Sequence, residues 1–243
     1  MLSAAAVLVA AAGVFAHGVW HRNSPVFGPA LWRLPAPTDG VPRVSLTFDD
    51  GPNPVATPRI LDALAAAGAS ATFFVLGRHA ARWPELVARA AREGHQIGNH
   101  GFHHRKLDRR GPGYVRDDIW LGRRAIEDAS GVTPRFFRAP HGFRSPWTTS
   151  IARSTGARTV GWTLGVWDST RPGAEEIRRR ALAGARSRTI LLLHDGDGYD
   201  PAGDRAQTAE ALPSLLAGLA ARGLSVALLP EERPADATHR PSA

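Results

Sequence analysis

The sequence predicts an α/β barrel with parallel strands, and three observations lead there. Short apolar, β-rich runs alternate with amphipathic stretches of roughly ten to sixteen residues, the rhythm of βα units in a parallel sheet. About seven such units follow one another without a glycine-rich dinucleotide fingerprint, which favours a barrel over a doubly wound sheet. Polar residues gather directly after the strand runs, and in a parallel barrel all those strand ends lie on one face.

In chain order, residues 44–48 read as the first strand and 58–67 as a helix stopped by Gly68. Residues 71–76 (ATFFVL) form an apolar run of strand length that ends at Gly77, and 84–92 form a helix between Pro84 and Gly94. A short strand over 95–98 leads to Asn99 and His100, and a longer amphipathic helix covers 114–129 before Gly131. Strands at 135–138 and 159–164 flank a helix at 146–155. A helix at 174–185 precedes the strand 189–193 (TILLL), which stops at His194. A helix over 207–222 and a strand over 224–229 complete the pattern.

A hydrophobic fraction of 43% with 21% charged residues describes a globular chain of 243 residues. The formal charge of +8 rests on arginine, since Lys106 is the only lysine. In so Ala- and Arg-rich a chain this reads as compositional bias, and no nucleic-acid partner is expected; attraction to an anionic polymer carries lower weight. The absence of cysteine excludes disulfides, thiolate metal sites and cysteine nucleophiles. Residues 2–19 are apolar apart from Ser3 and His17, with no polar face and no Lys or Arg ahead of them. Residues 1–20 are therefore expected to be a signal peptide or a membrane anchor, which implies export or attachment on the extracytoplasmic side. Residues 21–41 read as a Pro-rich linker, 42–230 as the folded domain and 231–243 as a disordered tail. A monomer is expected.

The side chains behind the strands suggest chemistry. Asp49 and Asp50 stand together where the first strand gives way to a Gly-Pro turn. Read alone, "DDGPNP" is equally a capping turn or a cation-plus-base pair. His100 and His104 share a face if residues 100–104 form a helical turn; His103 adds an ambiguity, but the spacing favours His104. Two imidazoles and one carboxylate leave a cation open to water and substrate, as in hydrolytic zinc sites or in ferrous oxygen chemistry. If Asp50 binds the cation, Asp49 is free to deprotonate a water. Arg138 either pairs with Asp49 or lies on the surface. His194 is either a hydrogen-bonded core residue or an acid whose tautomer Asp168 fixes. Asp195, Asp197, Asp200 and Asp204 lack the closing glutamate of a calcium loop and read as a solvated loop.

"TFDDGPNP", "GNHGFHH", "FRAPHGF", "GWTLGVWD" and "ILLLHDG", in this order, resemble the five motifs of the polysaccharide deacetylases, carbohydrate esterase family four. The resemblance covers residues 42–230 and implies a distorted, incomplete (β/α)7-type barrel. It implies Asp49 as general base, Asp50, His100 and His104 as ligands of one divalent metal, and Arg138 as the residue that positions Asp49. Zinc is the expected metal, with cobalt, nickel or manganese as alternatives. It further implies His194 as general acid tuned by Asp168, Leu192 beside the acetyl methyl, and the backbone N–H of His141 facing the oxyanion. The implied substrate is an N-acetylated glycan. The chain departs from the family pattern at Gly101, His141 and Ser169, so the wall of the acetyl pocket falls to Trp167 or Trp162.

Overall fold

The computed structural model describes residues 4–231. Strand β1 (Arg43–Asp49) lies at the centre of a parallel sheet. On one side follow β2 (Thr72–Val75), β3 (Gln96–Asn99), β4 (Phe136–Phe137) and β5 (Arg158–Thr159). On the other side lie β7 (Thr189–His194) and then β6 (Leu164–Gly165). The order is β5-β4-β3-β2-β1-β7-β6, and a short β8 (Ser225–Val226) pairs with the start of β1. Neither β5 nor β6 pairs with the other, so the sheet curls into an incomplete barrel with one gap.

Helices between the strands cover the outside. They are α2 (Ala56–Ala66), α3 (Gly77–Arg82), α4 (Pro84–Arg92), α5 (Pro112–Ser130), α6 (Thr148–Ser154), α7 (Ala174–Gly184) and α8 (Ala206–Ala221). α5 starts with Pro112 in its first turn and ends at Gly131, whose φ of 70° is the left-handed conformation that closes a helix cheaply only with glycine. The short α3, absent from the sequence pattern, begins where the N–H of Gly77 binds the carbonyl of Gly101, a contact between distant chain segments.

Strand alternation divides the core into two layers. Leu46 and Phe48 face the helices and join the larger apolar cluster with Ile60, Leu64, Leu191 and Leu215. Thr47 and Asp49, on the opposite face, turn toward the barrel interior, where Thr47 Oγ1 meets Arg138. Phe74, Phe136, Val160 and Ile190 form the second, inner cluster.

Two expectations change. The run 159–164 is not one strand: Val160 N–H binds the Phe137 carbonyl on the β4 edge, whereas Thr163 N–H binds the Ile190 carbonyl on the β7 edge. The chain crosses the gap at Gly161 and Trp162, so its two halves belong to opposite edges. The second change concerns residues 21–41, read as a linker. Leu31 bridges to Val160, Leu34 N–H binds the Arg188 carbonyl, and both leucines are buried in the inner cluster. This segment fills the opening that the strands leave.

Helix α1 (Ala4–Trp20) precedes it, mostly exposed until Gly18 and Val19. Phe15 packs edge-on against Phe27 (5.4 Å), and the Val19 carbonyl accepts from Arg144 N–H. Among the described residues, no helix is long and apolar enough to cross a membrane. The expected tail lies outside the described residues from 232 onward.

Leu31→Ala removes a buried side chain from the plug and is expected to cost about 2–5 kcal/mol in a denaturant unfolding experiment. A change below about 0.5 kcal/mol would mean that the segment contributes nothing to the fold.

Candidate active site

The carboxyl ends of β1, β3, β4, β6 and β7 open into one cleft of about 730 Å³. Asp49, Asp50, His100, His104, His141, Trp167, Asp168, Leu192 and His194 all line it. Arg138 sits behind Asp49, fully buried.

Asp49 ends β1 facing inward. Its Oδ1 accepts a 2.6 Å hydrogen bond from Arg138 Nη1, which also donates to Thr47 Oγ1 (2.9 Å). Arg138 Nη2 donates to the Gly161 carbonyl (2.9 Å), and the guanidinium lies 4.1 Å from the Phe74 ring centroid. Burial lowers the Arg138 pKa while Asp49 counters it, and an arginine stays charged regardless. One oxygen of Asp49 is thereby fixed and the other, Oδ2, points toward His100 (3.7 Å from Nε2).

Asp50 follows with φ of 74°, and its carbonyl faces His79 Nδ1 at 2.8 Å. That conformation turns its carboxylate away from Asp49 and toward the two imidazoles. Oδ1 lies 3.3 Å from His100 Nε2 and 3.1 Å from His104 Nε2, and the three ligand atoms lie within 4.8 Å of one another. His100 Nδ1 is 2.8 Å from the Arg138 carbonyl, so it must donate its proton there, which leaves the Nε2 lone pair toward Asp50. Asp50 Oδ1 is buried and has no hydrogen-bond donor of its own. An anionic oxygen and a fixed imidazole lone pair converging in a buried spot fit a divalent cation. Burial opposes ionisation of Asp50, but the His104 and His100 imidazoles hold it well below the usual carboxylate range.

The two histidines do not share a helical turn. Residues 100–104 form an irregular loop with Gly101 at φ 80° and His104 at φ 57°. A side chain at Gly101 would collide with Asp118 Oδ2, and the same Asp118 accepts from the N–H groups of Phe102 and His103. Asp118 also holds His103 Nδ1 at 2.8 Å, drawing that imidazole away from the cluster. This accounts for the choice between the adjacent histidines.

Across the cleft, His194 ends β7. Asp168 accepts twice from it, from the backbone N–H at 2.7 Å and from Nδ1 at 2.8 Å, and also from Thr208 Oγ1 at 3.0 Å. With Nδ1 engaged, Nε2 is the free nitrogen. Burial disfavours the imidazolium, but the Asp168 carboxylate outweighs it and pushes the pKa up to about 9. Leu192 lines the floor between the two halves.

His141 (φ 59°) brings its ring within 4.4 Å of the His104 ring, and burial with the His104 and His100 charges pulls its pKa down to about 4. Trp167 is 71% exposed at the rim, whereas Trp162 packs inside against Gly142 and Gly165. Both tryptophans line the cleft, Trp162 from inside and Trp167 from the rim.

The sequence pattern did not point to Tyr199, whose hydroxyl meets His141 Nε2 at 3.2 Å, nor to Trp20 and Arg22, which line the mouth. Tyr199 follows a strand run that points to this face, which is a usable signal; Trp20 and Arg22 had none, because they lie in stretches read as anchor and linker. The solvated aspartate loop also needs correction. Asp195 is buried, accepts from Thr57 Oγ1 (2.6 Å) and lies against Gly51, where a Cβ would collide with its carboxylate. Asp197 accepts from Arg205 Nη2 at 2.9 Å.

Known proteins agree with this architecture. A family profile described as polysaccharide deacetylase matches residues 36–160. A chitooligosaccharide deacetylase from Bradyrhizobium sp. is 39% identical over 201 residues, covering 79% of this chain and 91% of that protein. A peptidoglycan-N-acetylglucosamine deacetylase from Bacillus cereus is 35% identical over 201 residues, covering 81% and 89%. The solved family 4 carbohydrate esterase from Streptomyces lividans, in complex with acetate, superposes with a TM-score of 0.71 at 29% identity, covering 78% of this chain and 94% of that one. The chain belongs to the polysaccharide deacetylase family, and its curated relatives are deacetylases that hydrolyse N-acetyl amide bonds.

A histidine raised above its unfolded value of about 6.5 stabilises the fold fully below that pH, and the contribution is lost as pH rises through about 9. Asp168→Asn removes the carboxylate responsible. NMR titration of His194 in metal-free protein is expected to move down by about one pH unit or more in this variant. An unmoved titration would show that Asp168 does not hold the proton there.

Proposed function

We propose that the protein is a metal-dependent N-deacetylase that removes acetyl groups from an N-acetylated glycan of the cell envelope, outside the cytoplasm. The observation that carries this reading is the pairing, across one cleft, of two side chains each held by an oppositely charged partner, a carboxylate and an imidazole. Asp49 is held by Arg138 on one side, and His194 is held by Asp168 on the other. Asp50, His100 and His104 are the residues that would hold the cation, with zinc the favoured metal. A divalent cation there supplies Lewis acidity, lowering the pKa of water and polarising the acetyl carbonyl.

Asp49 acts as the general base. Arg138 orients it through Oδ1 and leaves Oδ2 to take a proton from the attacking water. The water oxygen adds to the acetyl carbon, and Leu192 packs beside the methyl group. His194 carries the proton that the departing nitrogen needs: the carbon–nitrogen bond breaks as Nε2 donates to it. The products are acetate and a free amine, so a neutral sugar becomes cationic. A second reading, hydrolysis of another amide or an O-acetyl ester, is favoured by Ser169 after Asp168 and by the high exposure of Trp167 at the rim.

The test is acetate release from N-acetylglucosamine oligomers and peptidoglycan, with protein stripped of metal and reloaded with Zn²⁺, Co²⁺, Ni²⁺ or Mn²⁺. Asp49→Asn is expected to lower kcat by about 10²–10⁴-fold while the metal stays bound. Asp50→Ala is expected to lose the metal itself, read by elemental analysis of the dialysed protein. Sugar binding without acetate release under any metal would identify a catalytically silent glycan binder instead.

A further inference from the structure

Two cations at the mouth of the cleft have no anionic partner among the described residues. Arg22 and Lys106 both line it. Every carboxylate that lines the same cleft is already engaged: Asp49 with Arg138, Asp50 with His100 and His104, Asp168 with His194, and Asp197 with Arg205. Arg22 donates only to the carbonyl of Trp162 (3.4 Å from Nε) and lies 5.0 Å from the Trp162 ring centroid. Lys106 Nζ lies 5.5 Å from the centroid of Phe143. The two cations therefore flank one short loop, 141–143. Gly142 sits at its middle, where an added Cβ would come 3.0 Å from Arg22 Cβ and 2.7 Å from Trp162.

Arg22 is not a loose surface arginine. It belongs to the segment that plugs the barrel gap, and its neighbour Asn23 donates to the Trp162 carbonyl at 3.0 Å. It is partly buried, which disfavours its charge and offers no carboxylate in return. A guanidinium placed in this way is suited to bidentate binding of a carboxylate brought by a ligand. Trp20, 63% exposed on the same rim, presents an aromatic face against which a sugar ring can stack.

We propose that Arg22 and Lys106 form a carboxylate subsite, so that the protein prefers an acidic glycan in which the sugar next to the N-acetylated unit carries a carboxylate. Resting on the deacetylase reading above, this narrows the substrate class from N-acetylated glycans in general to anionic ones. Two sugars share that chemistry: one bearing an ether-linked lactyl group and a uronic acid.

The experiment compares kcat/KM for acetate release by the full chain on three oligosaccharides. One is a neutral N-acetylglucosamine oligomer, one alternates with a lactyl-ether sugar, and one alternates with a uronic acid. At least one acidic oligomer is expected to be favoured, and the better one names the source of the carboxylate. Arg22→Gln is expected to lower kcat/KM on that oligomer about tenfold more than on the neutral one. Arg22→Lys keeps the charge without the bidentate fork and is expected to recover part of the preference, which a purely structural role in the plug would not do. Lys106→Gln should cut the same preference, and added salt should narrow it. Equal losses on neutral and acidic oligomers, or a wild-type preference for the neutral one, would overturn the subsite. If none of the three releases acetate, the deacetylase reading fails, and equilibrium binding of the same oligomers decides the subsite separately. Weaker binding of the acidic oligomer alone in Arg22→Gln supports it, and unchanged binding overturns it.

Discussion

The fully buried ion pair between Arg138 and Asp49 is the constraint around which the upper half of the barrel is arranged. A guanidinium in an apolar interior is costly unless its donors are satisfied and its charge is met. Here Nη1 and Nη2 reach Asp49, Thr47 and the Gly161 carbonyl while Nε is left without a partner, and the guanidinium lies 4.1 Å from the Phe74 ring centroid and 5.6 Å from that of Trp162. These partners come from β1, from β2 and from the gap-crossing residues, so one side chain on the β4 edge ties the centre of the sheet to its open seam. The carbonyl of Arg138 also fixes the His100 ring, so the same residue orients both the proposed base and one proposed metal ligand.

Backbone conformation concentrates cost at the mouth of the same barrel. Asp50, His104, His141 and Trp167 all have positive φ, between 57° and 74°. Non-glycine residues there cost roughly 1–3 kcal/mol each and persist only where surrounding contacts overdetermine them. The contacts can be named. His79 faces the Asp50 carbonyl, Gly198 packs directly against the His104 ring, and Tyr199 meets His141. At Asp50, His104 and His141 the conformation turns a side chain into the cleft that ordinary strand or helix geometry would direct elsewhere. The helices and the larger apolar cluster form a rigid base on which this irregular rim is built.

The gap between β5 and β6 has a functional side as well. An incomplete barrel exposes inner apolar side chains unless something fills the seam. Leu31 and Leu34 fill it from a part of the chain that precedes the first strand. Once that segment is anchored, Trp20 and Arg22 stand at the cleft mouth beside Trp162, so the plug also shapes the site.

Much of this was legible in the residues themselves. Period-two and helical spacing marked most elements, because those periods follow from local backbone geometry: the apolar TILLL run is β7 and the Pro84-started helix is α4 within a residue. The five motifs in order identified the family, since each places chemistry at a strand end. Other features depended on contacts between distant segments, and no local pattern carries those. The run 159–164 looks like one strand because the sequence does not reveal that its halves bond to opposite edges. His103 competes with His104, which only an assumed helical spacing favours, until Asp118, from a helix further along the chain, captures the first. Asp195 looks solvated until Thr57 and Gly51 close over it. Residues 21–41 look like a spacer because proline-rich composition carries no sign of a partner surface, and only the curvature of the sheet creates the seam that they fill. The sequence alone determined which groups are present and at which strand ends they stand. Tertiary structure decided which of them meet, because burial, ion pairing and left-handed backbone turns are properties of the assembled barrel.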